Sequence, residues 1–244
     1  MDFSLFTRES DFHPWSSNHG VPVLIFLLLT VLICVYAKRK LSRPQQKKIL
    51  LIASIIPLIS VFVYMAIEIA TGQFSIQEDL PLHICRVVAL LAPWIYWKEK
   101  PLWTGISYFW VMVGTTNAVI TPDVYVNFPH WEYLCYFILH LGLIFLPIYY
   151  CVVMGHRPQH KDFWRAVIAS NFFLLFSLMV NKILESNYMF TSHKPEVASL
   201  LDYLGPWPIY IFSVELIGIV FFYIVLLPFI FIKLKERESP RSPS

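Results

Sequence analysis

Seven apolar stretches run through the chain, at Val21 to Ala37, Ile49 to Ala70, Leu82 to Trp97, Leu102 to Ile120, Trp131 to Val153, Phe163 to Leu184 and Trp207 to Ile232. Each is close to the roughly 20 residues a helix needs to cross the hydrocarbon core of a bilayer. Only 14% of residues are charged, against about 25% in a soluble domain. A β-barrel also satisfies its backbone in lipid, but runs such as VPVLIFLLLTVLICVY are apolar on every face instead of alternating. The expected fold is all-α: a polytopic membrane protein with one seven-helix transmembrane bundle over residues 1–232. The polar, proline-bearing tail 233–244 is expected to be disordered and cytoplasmic.

Orientation follows from the 19 Lys and Arg. The first connection holds Lys38, Arg39, Lys40, Arg43, Lys47 and Lys48. The third holds Lys98 and Lys100, the fifth Arg157, Lys161 and Arg165, and the tail Lys233, Lys235, Arg237 and Arg241. The opposite connections carry only Arg8 and Lys194 among several acidic residues. The positive-inside rule then places the N-terminus outside and the C-terminus in the cytoplasm. The first run lacks a basic segment before it and a small-residue cleavage pattern, so it is expected to be a retained helix.

Ionisable and amide groups inside apolar helices cost on the order of 3 kcal/mol for a charge at mid-helix, so each is a functional candidate. They are Glu68, His83, Arg86, Asn117, His140, Asn171, Asn181 and Glu215, with Cys85 beside them. Asn171 and Asn181 are expected to make interhelical hydrogen bonds, worth about 0.6 kcal/mol each. Cys34, Cys135 and Cys151 read as small buried hydrophobes, and the four cysteines make neither a disulfide framework nor a CxxC pattern. Trp94, Trp97, Trp103, Trp131 and Trp207 fit an interfacial aromatic belt. His83 sits where a first-turn histidine either snorkels to the interface or works. His140, in CYFILHLGLIF, lies some 12 to 14 Å below its outer helix end and is a functional candidate.

Helical spacing constrains the chemistry. His83 and Arg86 share a face, whereas His83 and Cys85 point away from each other if both are helical. A nucleophilic Cys85 therefore needs a base from another helix, and His140 supplies one at a similar depth. Glu215 or Asn117 is expected to orient the second ring nitrogen of that histidine. Pro81 suits the first helical position, so Cys85 falls near a helix N-terminus and beside Arg86; both favour a thiolate, while apolar burial opposes it. The external stretch NYMFTSHKPEVASLLDYLGPWP is rich in turn residues, among them Asn187 and Asp202. It reads as a folded lid with a short helix, with a structural linker as the alternative.

LPLHIC, TTNAVITPD with a histidine some twenty residues later, NYMF, SLLDYLGPWP and the intramembrane Glu215 together resemble the YwaF family of bacterial integral membrane proteins. The resemblance covers nearly the whole chain. That family is similar in turn to the eukaryotic transmembrane protein 164 group, polytopic acyltransferases that remodel ether phospholipids through a cysteine and a histidine on separate helices. By motif position the resemblance implies Cys85 and His140, and a place in the bacterial cytoplasmic membrane.

The expected activity is a lipid acyltransferase or transacylase, with a phospholipid donor, a lysolipid acceptor and no cofactor. His83, Arg86, Asn117 and Glu215 are its supporting residues. A small-solute or proton-coupled transporter built on the midplane His, Glu and Asn residues is the alternative, although no internal repeat is visible. A non-catalytic membrane protein is another. Haem or metal ligation by His83 and His140 has few ligands to draw on. No nucleic-acid partner is expected.

Overall fold

The computed structural model describes residues 12–195 and 200–238. Its helices are α1 (Ser17–Lys40), α2 (Arg43–Thr71), α3 (Ile84–Lys98), α4 (Pro101–Phe109), α5 (Thr116–Ile120), α6 (Trp131–Val152), α7 (His160–Leu184) and α8 (Ile209–Glu238). No strand occurs among the described residues. Among the described residues, α1, α2, α6, α7 and α8 are the five helices long and apolar enough to cross a membrane. α3, with 15 residues, is about 22 Å long, short of a hydrocarbon core. α4 and α5 are joined by a π turn, Trp110–Thr115, so the fourth apolar run is one continuous helical stretch with a widened middle.

Local chemistry sets the breaks. The Ser42 backbone N–H donates to the Gln45 side chain in a capping box that opens α2, and Gly72 in the left-handed region closes it. Pro101 opens α4 at a position where its missing N–H costs nothing. Asp162 accepts from the Gln159 backbone N–H at 3.1 Å and from Arg165 Nη1 at 3.0 Å, fixing the start of α7. α8 continues past Ile232 to Glu238. The first part of the tail expected to be disordered is therefore helical, because Lys233 to Glu238 are good helix formers continuing an established helix. Residues 239–244 lie outside the described residues.

α6 is the central helix: 67% of its most apolar window is buried, against 11% for α7 and for α8. α2 packs along α6 and α3, α1 lies on α6, and α4 pairs with α7. Close approach of α2 and α6 uses Pro57 and Gly142, where a Cβ on the glycine would sit 3.4 Å from Pro57 Cδ. Large apolar side chains such as Leu32, Phe172 and Ile183 cover the outside of the bundle, an arrangement suited to lipid and not to water.

The basic connections gather at one end. Arg43 Nη1 donates to the Met154 carbonyl, Lys47 pairs with Glu99 at 2.7 Å, and Arg157 pairs with Glu236 at 2.6 Å. The remaining connections meet at the other end, where Asn18 Nδ2 donates to Asn127 Oδ1 at 2.8 Å and Tyr188 Oη donates to the Ile76 carbonyl at 2.7 Å.

Candidate active site at the start of α3

α3 begins later than Pro81. His83 is its N-cap, with extended backbone (φ −74°, ψ 140°), so Cys85 is the second helical residue. Because His83 is not helical, the face it was expected to share with Arg86 does not arise. Its ring packs instead on Tyr188 and Phe190, with centroids at 5.6 and 5.8 Å. The first N–H groups of a helix have no intrahelical acceptor. That of Ile84 donates to Met189 Sδ at 3.3 Å, and those of Cys85 and Arg86 also precede the first helical acceptor, the His83 carbonyl bonded by Val87.

Cys85 is half-buried, and its Sγ lies 3.4 Å from Thr115 Oγ1. Thr115 is the last residue of the π turn and is fully buried. A π turn winds an extra residue into one turn, and here it packs against both α3 and α6. Thr115 was not among the candidates read from the sequence. Its signals in the sequence were the polar pair Thr115–Thr116 inside an apolar run and its place at the start of the TTNAVITPD motif.

His140 is buried on α6, and its Nδ1 lies 2.8 Å from the Tyr136 carbonyl oxygen. A carbonyl only accepts, so Nδ1 carries the proton and Nε2 the lone pair. The Tyr136 ring lies against the imidazole, with centroids 4.1 Å apart and the planes tilted by 36°. Tyr136 is an electrostatic neighbour of Cys85, and His83 and Arg86 are electrostatic neighbours of His140. The structure thus brings the start of α3, the π turn and the middle of α6 together.

Other candidates fall elsewhere. Glu215, expected to orient His140, accepts from Asn171 Nδ2 at 2.8 Å in a polar pair between α7 and α8. Asn117 is exposed near the end of the fourth helical stretch, where its backbone carbonyl accepts from the Thr121 N–H and hydroxyl. The backbone carbonyl of Tyr136 takes the orienting place at Nδ1 that either residue was expected to fill. Glu68 is buried on α2. Asn171 makes the interhelical bond expected of it, while Asn181 binds the segment that follows α7: it donates to the Tyr188 carbonyl and to Thr191 Oγ1, and accepts from the Tyr188 N–H.

That segment is folded onto the start of α3. Asn187 Oδ1 accepts from the N–H groups of Ser192 and His193, and its Nδ2 donates to the His193 carbonyl. Met189 and Phe190 sit at φ 60° and 53°, left-handed conformations that cost about 1–3 kcal/mol each in non-glycine residues. The surrounding bonds hold them there. Leu200–Tyr203 form one short 3-10 turn, and the Asp202 carbonyl accepts from Lys194 Nζ at 3.4 Å. Residues 196–199 lie outside the described residues.

An open apolar groove of about 470 Å³ runs between α4 and α7, past Trp103, Trp110, Arg165 and Phe172; neither Cys85, Thr115 nor His140 lines it. Among the described residues no three of His, Cys, Asp and Glu cluster as metal ligands would.

The apolar helices and the buried polar site define a multi-pass membrane protein whose cysteine and histidine come from different helices. The chain belongs to the TMEM164 family, which matches residues 14–226. No curated protein and no solved structure matches it.

Proposed function

We propose that the chain is a lipid acyltransferase or transacylase in which Cys85 is the nucleophile and His140 the base. The observation that carries this reading is the tautomer fixed at His140: the Tyr136 carbonyl holds the Nδ1 proton, so Nε2 is free to take the thiol proton. The Thr115 hydroxyl holds the sulfur. Membership of the TMEM164 family and the resemblance to cysteine- and histidine-dependent acyltransferases support it.

In the forward step His140 Nε2 removes the Cys85 proton and the thiolate attacks a phospholipid ester carbonyl. The tetrahedral oxyanion meets the N–H groups of Cys85 and Arg86 at the start of α3, donors already oriented by the helix. The ester bond breaks and the lysolipid alcohol leaves with the proton held by His140. A second lysolipid hydroxyl gives its proton to His140 and attacks the thioester, releasing the new diacyl lipid and the Cys85 thiol. Water in place of the hydroxyl makes the same chemistry a hydrolysis.

The bundle around the site is read as one domain of seven spans, the short α3 and the π-wound fourth stretch included, with the basic end in the cytoplasm. Because α3 is about 22 Å long, its start is sunk below the outer surface, and Asn187 and Asp202 belong to the external segment that covers it as a lid. The resemblance to the YwaF family supports a bacterial cytoplasmic membrane as the protein's location.

The test uses purified Cys85→Ser and His140→Ala proteins with labelled phospholipid and lysolipid. Acyl exchange is expected to vanish in the first and to fall about 10²–10⁴-fold in the second. Full activity in both, with intact folding, would falsify the mechanism.

A further inference from the structure

Arg86 is held by a backbone carbonyl and an aromatic ring. Its Nη1 donates to the Asp79 carbonyl at 3.0 Å, and its guanidinium carbon lies 4.4 Å from the centre of the Tyr64 ring. Among the described residues it makes no ion pair with a carboxylate. The nearby Asp79 carboxylate is engaged by Tyr64 Oη at 2.9 Å and by the Ser75 N–H at 2.8 Å. A guanidinium has five N–H donors, so one hydrogen bond and one ring leave most of its capacity open. Tyr64 is braced in turn by Trp131, with ring centroids at 5.4 Å. The side chain is half-buried in the outer half of the proposed bundle. A cation held at such a depth without a direct ion pair is stabilised further when an anion joins it.

The surroundings name the anion. Arg86 follows Cys85 directly and is an electrostatic neighbour of both Cys85 and His140. We infer that Arg86 receives the phosphate of a glycerophospholipid or lysophospholipid whose ester lies at Cys85, so that the site selects phosphate-bearing lipids over neutral glycerides. A planar guanidinium binds a phosphate through paired, charge-assisted hydrogen bonds, and the carbonyl and ring contacts set its position beforehand. This inference rests on the reading of Cys85 and His140 as a lipid acyl-transfer pair, and it makes Arg86 a substrate-binding residue, not merely a neighbour of the thiol.

The experiment measures binding and needs no turnover. Delipidated full-length protein carrying Cys85→Ser is titrated with lysophosphatidylcholine, with a monoacylglycerol of the same chain, and with inorganic phosphate. Lysophosphatidylcholine is expected to bind about tenfold or more tightly than monoacylglycerol. Adding Arg86→Gln is expected to abolish the preference while leaving monoacylglycerol binding unchanged. Arg86→Lys, which keeps the charge and loses the planar fork, is expected to retain part of it and carries the test if the glutamine variant does not fold. Equal binding of the two lipids by the parent, or a preference that survives in Arg86→Gln, overturns the inference. Displacement of lysolipid by inorganic phosphate alone overturns the lipid assignment in favour of a free-anion site. A surviving phosphate preference in a protein whose Cys85 never acylates would leave this inference standing and remove only the acyl-transfer reading.

Discussion

The Cys85 sulfur and the Thr115 hydroxyl lie 3.4 Å apart, joining the first turn of α3 to the π turn of the fourth helical stretch. In the proposed reaction this contact fixes the nucleophile. Thr115→Val keeps the branched shape and removes the hydroxyl. A hydrogen bond of this kind is worth about 1–1.5 kcal/mol, so the rate of Cys85 acylation is expected to fall about tenfold, whereas Thr115→Ser keeps most of it. Single-turnover acylation of the three proteins by mass spectrometry checks this.

Glu215 pairs with Asn171 and not with His140. Glu215→Gln preserves the hydrogen-bonding shape, so acyl exchange is expected to stay within about twofold of the parent, a change below 0.5 kcal/mol. A liposome flux assay on the same variant discriminates the alternative: a solute or proton flux that depends on Glu215 and His140 but not on Cys85 identifies a transporter.

Gly105 on α4 faces Asp162 on α7, and a Cβ there would stand 2.7 Å from Asp162 Cγ. Asp162 is held by its bonds to the Gln159 N–H and to Arg165, so it has little freedom to retreat. Gly105→Ala is expected to destabilise the α4 and α7 pair by about 1–3 kcal/mol, as overpacking does. A lowered unfolding midpoint in detergent checks it, and Gly20→Ala, where nothing lies within 4 Å, is the control.

His156 lies in the connection between α6 and α7, its ring stacked on Tyr150 at 4.7 Å and its Nε2 buried without a partner among the described residues. Burial pushes its pKa below the usual 6.5, only partly opposed by Asp162. The folded state therefore favours the neutral ring, and the unfolded chain binds more protons once the pH drops below about 6.5. Stability is expected to fall from pH 6.5 downward through the lowered pKa and then level off, and His156→Gln is expected to flatten that part of the profile. Unfolding midpoints of both proteins at pH 7, 6 and 5 measure it.

The apolar runs made the helices legible because lipid demands an uninterrupted run of apolar side chains. Spacing and depth pointed Cys85 toward a base on another helix, and α3 and α6, which carry Cys85 and His140, do pack together. What escaped was backbone detail. A π turn adds one residue without altering hydropathy, so nothing marked Thr115 as the neighbour of Cys85. Pro81 suggested a helix start that the extended His83 delays to Ile84, which brings Cys85 closer to the helix end. Glu215 matched His140 in depth, but depth says nothing about which face of a helix meets which neighbour. Turn chemistry did mark the segment after α7, whose Asn187 closes the local turns.

The most direct test of the central claim is to trap the acyl-enzyme. The protein is incubated with phospholipid, quenched, digested and mapped by mass spectrometry with and without hydroxylamine. A hydroxylamine-sensitive acyl group on Cys85, absent from Cys85→Ser and much reduced in His140→Ala, is the expected result. An acyl group on another residue, or exchange activity that proceeds with Cys85 unmodified at every time point, contradicts the account.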